Sequence, residues 1–231
     1  MVEYLGKELE LFQHATNWKA YFASTIHPYV RGNVLEVGAG LGANTRFLVT
    51  RATSSWTFIE PDKKLADKID GYTTELTISK RIITGTIDAI KCGKFDTVIY
   101  IDVLEHIDRS AEEIRKIHNL LVGGGHLILL VPAFQFLYNE FDSQIGHFRR
   151  YNKLLLRNEV NSVLSEKRLF YLDSVGFFAS LANKMLIRQA MINSFQIKFW
   201  DNYLIRLSKF TDIIFFHQFG KSLVGVFEKQ E

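Results

Sequence analysis

The chain has few residues that cross-link or interrupt a backbone, with one cysteine and three prolines among 231 residues. The single cysteine, Cys92, excludes an internal disulfide, and no cysteine and histidine cluster has the spacing of a zinc site. We therefore expect no metal. A reducing compartment such as the cytoplasm suits this composition.

Long apolar runs are also missing: no uncharged stretch reaches the 18 or more residues that a membrane-spanning helix needs. The first residues, MVEYLGKELELFQHATNWKA, are interrupted by charges and lack the apolar centre of a signal peptide. Hydrophobic residues make up 47% and charged residues 23%, which is typical of a globular chain. We expect one cytoplasmic domain over residues 1–231.

A strong charge of either sign is absent as well, since the formal net charge is +3. Residues 1–150 carry 17 Lys and Arg against 18 Asp and Glu, whereas residues 151–231 carry 11 against 7. This balance argues against a nucleic-acid partner, because the sequence has no basic stripe that could contact successive phosphates. The basic excess lies in the C-terminal part and is either solvated surface or a contact with an anionic partner such as a lipid surface.

What the sequence does contain, from residue 33 to residue 132, is an alternation of short apolar runs and amphipathic stretches. The predicted strands are NVLEVG, WTFIE, RIITGT, FDTVIYID and GHLILLVP, and the predicted helices include ANTRFLVTRA and DKKLADKID. A third helix is predicted from a stripe at steps of three and four, closed by glycines 123–125: Leu104, Ile107, Ala111, Ile114, Ile117 and Leu121. The pattern predicts an α/β fold with a buried parallel sheet.

Beyond Pro132 the pattern changes to a loop up to Tyr151, a helix near 152–165, and two extended runs, RLFYLDSV and KSLVGVFEK. Two helices near 176–190 and 199–212 form a predicted insertion or cap. One face of this cap carries large apolar residues with two cations nearby, and it either packs on the core or contacts a membrane surface: Phe177, Phe178, Leu181 and Met185, with Lys184 and Arg188. The expected division is a helical cover over 1–32, a cofactor-binding core over 33–132, and a substrate part over 133–231.

The stretch VLEVGAGLGANT carries the first functional signal. Its glycines, Gly38, Gly40 and Gly42, follow the first strand with the spacing G-x-G-x-G, whereas a dinucleotide-binding loop has G-x-G-x-x-G. Glu36 precedes the first glycine by two residues, where a negative charge would not favour a pyrophosphate. This arrangement favours a ligand with a cationic end.

Further acids follow the ends of other predicted strands: Glu60 after the second, Asp88 after the third and Asp102 after the fourth. Ligands of open parallel sheets bind beyond these carboxyl ends. Four carboxylates there suit a ligand with an ammonium, a sulfonium, a ribose diol and an adenine amino group, as S-adenosylmethionine has. Turn formation by the glycines and helix capping by the acids are the alternatives.

The chain resembles the class I S-adenosylmethionine-dependent methyltransferases, in a small-molecule subgroup. The resemblance rests on VLEVGAGLGANT, FIEPD, GTIDAI, FDTVIYIDVLEHI and LLVGGGHLILLVP, with VPAFQFLYNEFD and GHFRRY further on. It implies a Rossmann-like, seven-stranded, mostly parallel sheet with helices on both faces and a final antiparallel strand. It also implies S-adenosylmethionine as cofactor and S-adenosylhomocysteine as product.

The resemblance implies a role for each matching residue. Gly38, Ala39, Gly40 and Gly42 would allow the backbone to approach the cofactor, and Glu36 would hold the methionine ammonium, directly or through water. Glu60, followed by Pro61, would accept the ribose hydroxyls. The remaining cofactor residues are Asp88 at the adenine amino group, Ile87 and Ala89 near the ring, Asp102 and Val103 at the methionine end, and Trp18 in the N-terminal cover.

Residues for catalysis are expected in DVLEHI and in FDSQIGHFRRY. His106 and His147 are candidate general bases, with a structural or loop-organising role as the alternative for each. Arg149 and Arg150 are candidates to bind an anionic acceptor, with salt bridges from loop to core as the alternative, and Tyr151 completes this predicted substrate loop.

The expected reaction is in-line transfer of a methyl group to oxygen or nitrogen of a small molecule, such as a sugar, a lipid-linked intermediate or a quinone-like precursor. The acceptor could be anionic or amphiphilic. A nicotinamide-dependent oxidoreductase and a non-catalytic S-adenosylmethionine-binding partner protein are the two alternatives.

Overall fold

A single seven-stranded sheet organises the computed structural model, which describes Leu9 and residues 12–91, 93–187 and 193–231, with the backbone alone at 186 and 187. Cys92 and Arg188, which entered the predictions, lie outside these residues. The strands are β1 Gly32–Val37, β2 Thr53–Glu60, β3 Ser79–Thr84, β4 Phe95–Ile101, β5 Leu121–Pro132, β6 Ser165–Leu172 and β7 Ser222–Glu228.

The strand order across the sheet is β3-β2-β1-β4-β5-β7-β6. Neighbouring strands are parallel, except that β7 runs antiparallel to both β5 and β6. The predicted mostly parallel sheet with a final antiparallel strand is confirmed. The chain reverses its direction of progress across the sheet between β1 and β4, and open α/β sheets bind their ligands at such a point.

Both faces of the sheet are covered by helices. These are α1 Thr16–Ile26, α2 Thr45–Leu48, α3 Lys63–Tyr72, α4 Ser110–Leu120, α5 Glu140–Gln144, α6 Lys153–Val160, α7 Ser174–Ala182, α8 Ser194–Phe199 and α9 Ile205–Ile214. Short 3₁₀ turns at His27–Tyr29, Ile87–Ala89, Leu104–His106 and Gln135–Leu137 and single π turns at Asn183–Ile187 and Trp200–Leu204 join them.

The core lies in two layers, because successive side chains of a strand point to opposite faces of the sheet. In β4, Val98 packs in the layer that contains Ile114 of α4, and Ile99 packs in the layer that contains Phe22 of α1. All four side chains are buried. Burial on both faces is the reason that β4 and β5 read as continuous apolar runs rather than alternating ones.

The predicted helix over ANTRFLVTRA is wrong in length, since α2 contains only Thr45–Leu48. Two threonines turn the chain toward β2. The Thr50 hydroxyl donates to the carbonyl of Val30 at 2.8 Å, and the Thr50 amide donates to the Thr53 hydroxyl at 3.1 Å. Such side-chain bonds to the backbone compete with helical hydrogen bonds.

The predicted stripe from Leu104 to Leu121 is not one helix. Leu104 lies in a 3₁₀ turn before α4, Leu121 begins β5, and glycines 123–125 lie inside β5 rather than forming a helix stop. Leu104 and Leu121 are as fully buried as Ile114 in the middle of α4. Apolar spacing therefore marked which residues are buried but not where the helix begins and ends.

The C-terminal insertion, which we call the cap, covers 174–214 and contains α7, α8 and α9. Buried acids attach it to the rest of the protein. Asp201 accepts hydrogen bonds from the backbone amides of Asn17 and Trp18 at 3.1 and 2.8 Å, in the first turn of α1, where amides have no partner within the helix. Asp212 accepts from the Tyr21 hydroxyl at 2.8 Å and from two amides at the start of α7.

The cap helices are short. Among the described residues, no helix has the length and apolar character needed to cross a bilayer.

Candidate active site

A cavity of about 1730 Å³ opens at the carboxyl ends of β1, β2 and β4. Its walls come from the glycine-rich loop after β1, the ends of β2 and β4, the segment 139–150, α1 and the cap. A pocket for one small ligand measures roughly 300–1,000 Å³. The cavity therefore has room for two molecules side by side.

The glycine-rich loop has a backbone that other residues rarely adopt. Gly38, Gly40 and Gly42 have φ angles of +65°, +56° and +72°, in the left-handed region that favours glycine. A Cβ added to Gly38 would lie 2.5 Å from a methyl group of Val103, at the end of β4. The loop thus lies tightly between β1 and β4, and Gly38, Ala39 and Gly40 line the cavity.

Glu60, at the end of β2, holds this loop in place. One carboxylate oxygen accepts from the Gly40 amide at 2.7 Å, and the other accepts from the Asp62 amide at 2.9 Å. The side chain is buried, which raises its pKa. Each oxygen has a further lone pair, and both Glu60 and Pro61 line the cavity, so this carboxylate can accept hydrogen bonds from a ligand.

Glu36 lies beneath the loop rather than among the described residues that line the cavity. One of its carboxylate oxygens accepts from the Thr45 hydroxyl at 2.7 Å and from the indole N–H of Trp56 at 2.9 Å. Burial raises the pKa of Glu36 to about 7, although these two hydrogen bonds oppose the shift. A neighbouring cation would favour the ionised form.

Asp88 lies apart from the other predicted cofactor residues. Its carboxylate forms an exposed ion pair with Lys116 of α4, at 2.8 Å. None of the described cavity-lining residues comes from Ile87–Ala89. Their predicted role at the adenine rests on the resemblance alone.

Asp102 and Lys221 both line the cavity, although they lie far apart in the sequence. Asp102 follows β4 with a φ of +53°. Its side chain is exposed in the cavity, but the protein around the carboxyl group desolvates it, which raises its pKa against the opposing charges of His147 and Lys221. Lys221 lies 4.7 Å from the centre of the Trp200 ring, and desolvation lowers its pKa.

A buried network organises the loop before α6. The Asp142 carboxylate binds the His147 Nδ1 at 2.8 Å and accepts two hydrogen bonds from the Arg150 guanidinium, at 2.9 and 2.8 Å. Burial alone would raise the pKa of Asp142, but the bonds from His147 and Arg150 outweigh it and lower the pKa to about 2. The Nη1 atom of Arg150 is buried without a hydrogen-bond partner among the described residues.

Glu105 and His106 lie against this network. Glu105 has no exposed surface, and neither of its carboxylate oxygens has a hydrogen-bond partner in the described part of the chain. Its Oε1 lies 3.6 Å from the Nε2 of His147, and burial raises the pKa of Glu105 well above its usual range. The His106 and His147 rings meet edge to face with centroids 4.5 Å apart. Burial lowers the pKa of His106 to about 4, so its imidazole is neutral at neutral pH.

The predicted substrate loop divides into two groups. His147 and Arg150 line the cavity with His106. Arg149 instead points to the other side, where its guanidinium binds Ser110, Asp108 and Glu159. Tyr151 is fully buried in the core layer of α4 and α6.

Aromatic residues form the wall opposite the glycine-rich loop. Trp18 of α1 packs against Phe22 at 5.5 Å and against Trp200 of the cap at 5.8 Å between ring centroids. Trp18 is buried in the core and also lines the cavity, a position that is compatible with its predicted place among the cofactor residues.

Sequence reasoning missed Lys221, Glu105 and the cap residues of the cavity. Glu105 could have been found, because it stands beside His106 in the quoted motif DVLEHI. Lys221 carried no such signal, since it follows the insertion and reaches the site only because β7 lies next to β5 in the sheet.

The sequence profile described as a methyltransferase domain matches residues 11–170, more than half of the chain. The chain belongs to the methyltransferase-domain family. The prediction of a class I S-adenosylmethionine-dependent methyltransferase is thereby confirmed, and the nicotinamide-dependent alternative has no support from the family match.

One curated relative of this methyltransferase is the hybrid PKS-NRPS synthetase mpsA of Macrophomina phaseolina strain MS6. The two are 31% identical over an alignment of 129 residues, and the match covers 49% of this chain and 3% of that protein. The methyltransferase therefore spans a small part of the length of this relative.

Solved structures show the same fold. The N-methyltransferase NodS from Bradyrhizobium japonicum WM9, in complex with S-adenosyl-L-homocysteine, has a TM-score of 0.59 and 15% identity, covering 95% of this chain and 88% of that chain. The cyclopropane synthase MmaA2 from Mycobacterium tuberculosis has a TM-score of 0.57 and 15% identity, covering 91% and 82%. At these identities the likeness concerns the fold alone.

Proposed function

We propose that this methyltransferase transfers the methyl group of S-adenosylmethionine to oxygen or nitrogen of a small-molecule acceptor, by in-line displacement. The main support is that one cavity joins the predicted cofactor residues Gly38, Glu60 and Asp102 to His147 and Arg150 of the predicted substrate loop. Methyl transfer requires the acceptor atom to lie about 3 to 3.5 Å from the methyl carbon, with water excluded. A cavity that both groups of residues line would let the acceptor lie beside the methyl group.

The cofactor is assigned to the glycine-rich side of the cavity. The Glu60 carboxylate would accept the ribose hydroxyls with its remaining lone pairs, and Gly38 and Gly40 would allow the methionine part to approach the backbone. Asp102 and Val103 would lie at the methionine end. Glu36, beneath the loop, would act on the ammonium through water.

The acceptor is assigned to the side formed by His106, His147 and Arg150. The unpartnered Nη1 of Arg150 offers a charged donor to an anionic group such as a carboxylate or phosphate. Apolar residues of the cap, among them Ile197 and Trp200, complete this side. The combination suits an amphiphilic acceptor, such as a lipid-linked sugar or a quinone-like precursor.

The cofactor assignment is tested by calorimetric titration of S-adenosylhomocysteine into matched variants. Loss of a charge-assisted hydrogen bond costs about 1.5–3 kcal/mol, so we expect Glu60→Gln to weaken binding roughly 10- to 100-fold. Asp88→Asn tests the adenine assignment, which predicts weaker binding of S-adenosylhomocysteine. Asp67→Asn, an exposed acid paired with Lys63, is the control. Equal affinity of the Glu60 variant and the wild type would contradict the assignment.

The acceptor assignment is tested with methyl-labelled S-adenosylmethionine and fractionated extracts of the source cells. With the labelled acceptor in hand, Arg150→Lys should raise its KM roughly 10-fold or more and leave cofactor affinity unchanged. Arg149→Lys is the matched comparison, because the neighbouring guanidinium binds Asp108 outside the cavity. A larger KM effect at Arg149 than at Arg150 would reverse the assignment. Retained S-adenosylhomocysteine without any turnover would favour a non-catalytic partner protein.

We further propose that the cap contacts an anionic lipid surface, which would place a cytoplasmic enzyme at the inner face of a membrane. Most of the large apolar side chains that are exposed in the described structure lie in or next to the cap, including Phe178, Phe195, Phe199, Tyr203, Leu207, Phe210, Ile213 and Phe216. Its acids Asp201 and Asp212 are buried, whereas Lys198 and Arg206 are exposed. Exposed apolar side chains with exposed basic residues among them suit an anionic lipid surface.

Sedimentation with phosphatidylcholine vesicles, with and without phosphatidylglycerol, tests this contact. Wild-type protein should sediment with the anionic vesicles, and the double substitution Phe210→Ser with Ile213→Ser should abolish this. Leu154→Ser, at an equally exposed position on α6, is the control. Binding that the double substitution leaves intact, or self-association in place of vesicle binding, would refute the proposal.

A further inference from the structure

Three side chains in the cavity, Glu105, His106 and His147, present one carboxylate oxygen and two imidazole nitrogens that all lie within 4.8 Å of one another. The Glu105 Oε1 to His147 Nε2 distance is 3.6 Å. Metal–ligand bonds of about 2.1 Å place neighbouring donor atoms roughly 3–3.5 Å apart. Small side-chain rotations therefore bring the three donors to coordinating distance.

The Glu105 carboxylate is the observation that points to a ligand. It has no exposed surface, and within the described structure no hydrogen bond reaches either oxygen. Burial of an ionised carboxylate without hydrogen bonds is unfavourable, so such a group is either protonated, paired with a cation or bound to a metal. Arg150 does not satisfy it, because the guanidinium directs its Nε and Nη2 donors to Asp142.

His147 is oriented as metal-binding histidines are. Its Nδ1 is bound to the Asp142 carboxylate at 2.8 Å, which leaves Nε2 toward Glu105. Such carboxylate–histidine pairs fix the ring and the tautomer of a metal ligand. The His106 ring is held as well, by a hydrogen bond with the backbone of Gly146.

Other acids lie near the three donors. Asp102 and Asp142 act on Glu105, together with the basic residue Arg150. A cation bound there would favour the ionised form of these carboxyl groups.

We propose that Glu105, His106 and His147 bind a divalent transition-metal ion in the acceptor part of the cavity. Two imidazoles with one carboxylate suit Zn²⁺, Mn²⁺, Co²⁺ or Fe²⁺, whereas Mg²⁺ prefers oxygen ligands. Three protein ligands leave coordination positions for water or substrate. Sequence spacing did not predict this site, because His147 lies far along the chain from the other two ligands.

A metal at this site would favour oxygen over nitrogen as the acceptor atom, an inference that rests on the proposed methyl-transfer function. An ion held there would lower the pKa of an acceptor hydroxyl bound to it, and the Asp102 carboxylate, which lines the same cavity, would accept the proton. The oxygen would then form a bond to the methyl carbon as the carbon–sulfur bond breaks, and the electron pair of that bond would stay on sulfur in S-adenosylhomocysteine. The acceptor atom is thus a hydroxyl oxygen.

The site is tested by direct metal binding, with neither cofactor nor acceptor present. Protein prepared without a polyhistidine tag and stripped with EDTA is titrated with Co²⁺, and visible absorption of the bound ion and metal content after gel filtration are measured. We expect one Co²⁺ per chain, displaced by Zn²⁺ and not by equimolar Mg²⁺. Glu105→Gln and His147→Gln should each weaken binding at least about 100-fold, and Asp142→Asn about 10- to 100-fold.

The control removes the same groups elsewhere: Glu112→Gln combined with His118→Gln on α4 should bind Co²⁺ like the wild type. The thermal unfolding midpoint of every variant is measured, and His106→Gln replaces any ligand variant that does not fold. Absence of saturable binding in the wild type, or unchanged stoichiometric binding in the folded ligand variants, would overturn the site. Failure of the metal site can be told apart from failure of the proposed function. S-adenosylhomocysteine binding and the effect of Glu60→Gln on it are measured without metal.

Discussion

Glu36 offers a quantitative test, because its buried carboxylate should make the stability of the folded protein depend on pH. The side chain is 2% exposed and lies beneath the glycine-rich loop. Glu36→Gln keeps the shape and an acceptor oxygen for Thr45 and Trp56, and it removes the ability to ionise. The comparison of the two proteins therefore isolates the cost of a buried charge.

The magnitude follows from the pKa. In the folded protein, burial raises the pKa of Glu36 from 4.5 to about 7. The folded state thus holds the proton more tightly than the unfolded chain, so the contribution of Glu36 is fully present below pH 4.5 and is lost as pH rises through 7. A shift of about 2.5 units corresponds to about 3 kcal/mol at most, of which about 2–3 kcal/mol falls between pH 5 and pH 8.

The assay is urea unfolding of the wild type and Glu36→Gln at pH 5 and pH 8. Other acids, among them Asp102, titrate in both proteins and cancel in the difference. Relative to the wild type, the variant should gain about 2–3 kcal/mol of unfolding free energy between the two pH values. Glu112→Gln, at an exposed position, should change this difference by less than about 0.5 kcal/mol.

A difference between the two proteins that is the same at both pH values would refute the reasoning, since it would mean that Glu36 ionises normally in the fold. Saturating S-adenosylhomocysteine adds a second measurement. If the ligand ammonium acts on Glu36, the bound wild type should show a smaller pH-dependent loss, because the cation favours the carboxylate.

Substitutions in the glycine-rich loop and at Asp142 should change the stability of the fold in a direction that the structure predicts. Gly38→Ala should destabilise the fold by about 1–2 kcal/mol or more and abolish cofactor binding, because φ is +65° and the new methyl group would meet Val103. Gly71→Ala, in α3 with open space around it, should instead stabilise the fold by up to about 1 kcal/mol. Urea unfolding of both variants measures the two effects. Equal effects of the two alanines would contradict the strain argument. Asp142→Asn should cost about 3–5 kcal/mol in the same assay, because it leaves the buried Arg150 without its counter-charge. A cost below about 1 kcal/mol would show that the loop does not depend on this pair.

Much of the fold could be predicted because its signals are local. The run from Val98 to Ile101 is apolar at every position, since β4 is covered on both faces, and this pattern is readable without any partner. Helix ends were less predictable. The helix predicted after β1 stops at Leu48 because Thr50 forms hydrogen bonds with Val30 and Thr53, and the contact with Val30 depends on how the chain folds back.

The candidate site was predictable where residues follow strand ends. Gly38, Glu60, Asp102 and His147 line one cavity, and the sequence placed the first three at the same edge of the sheet because parallel strands end together. Asp88 met the same criterion, yet its carboxylate is paired with Lys116 outside the cavity. A strand-end position indicates the edge of the sheet, but the direction of a side chain depends on its neighbours.

The sequence by itself determined the sheet, the glycine-rich loop, the family and thereby the cofactor, because each is encoded in short stretches with a regular period. Only the tertiary structure decided which charged groups meet. Glu105 lies beside His147, and Lys221 lines the same cavity as Asp102, because segments that are far apart in the chain pack together. The energy of a buried charge depends on those partners and on the loss of water, and neither is a property of a residue's sequence neighbours.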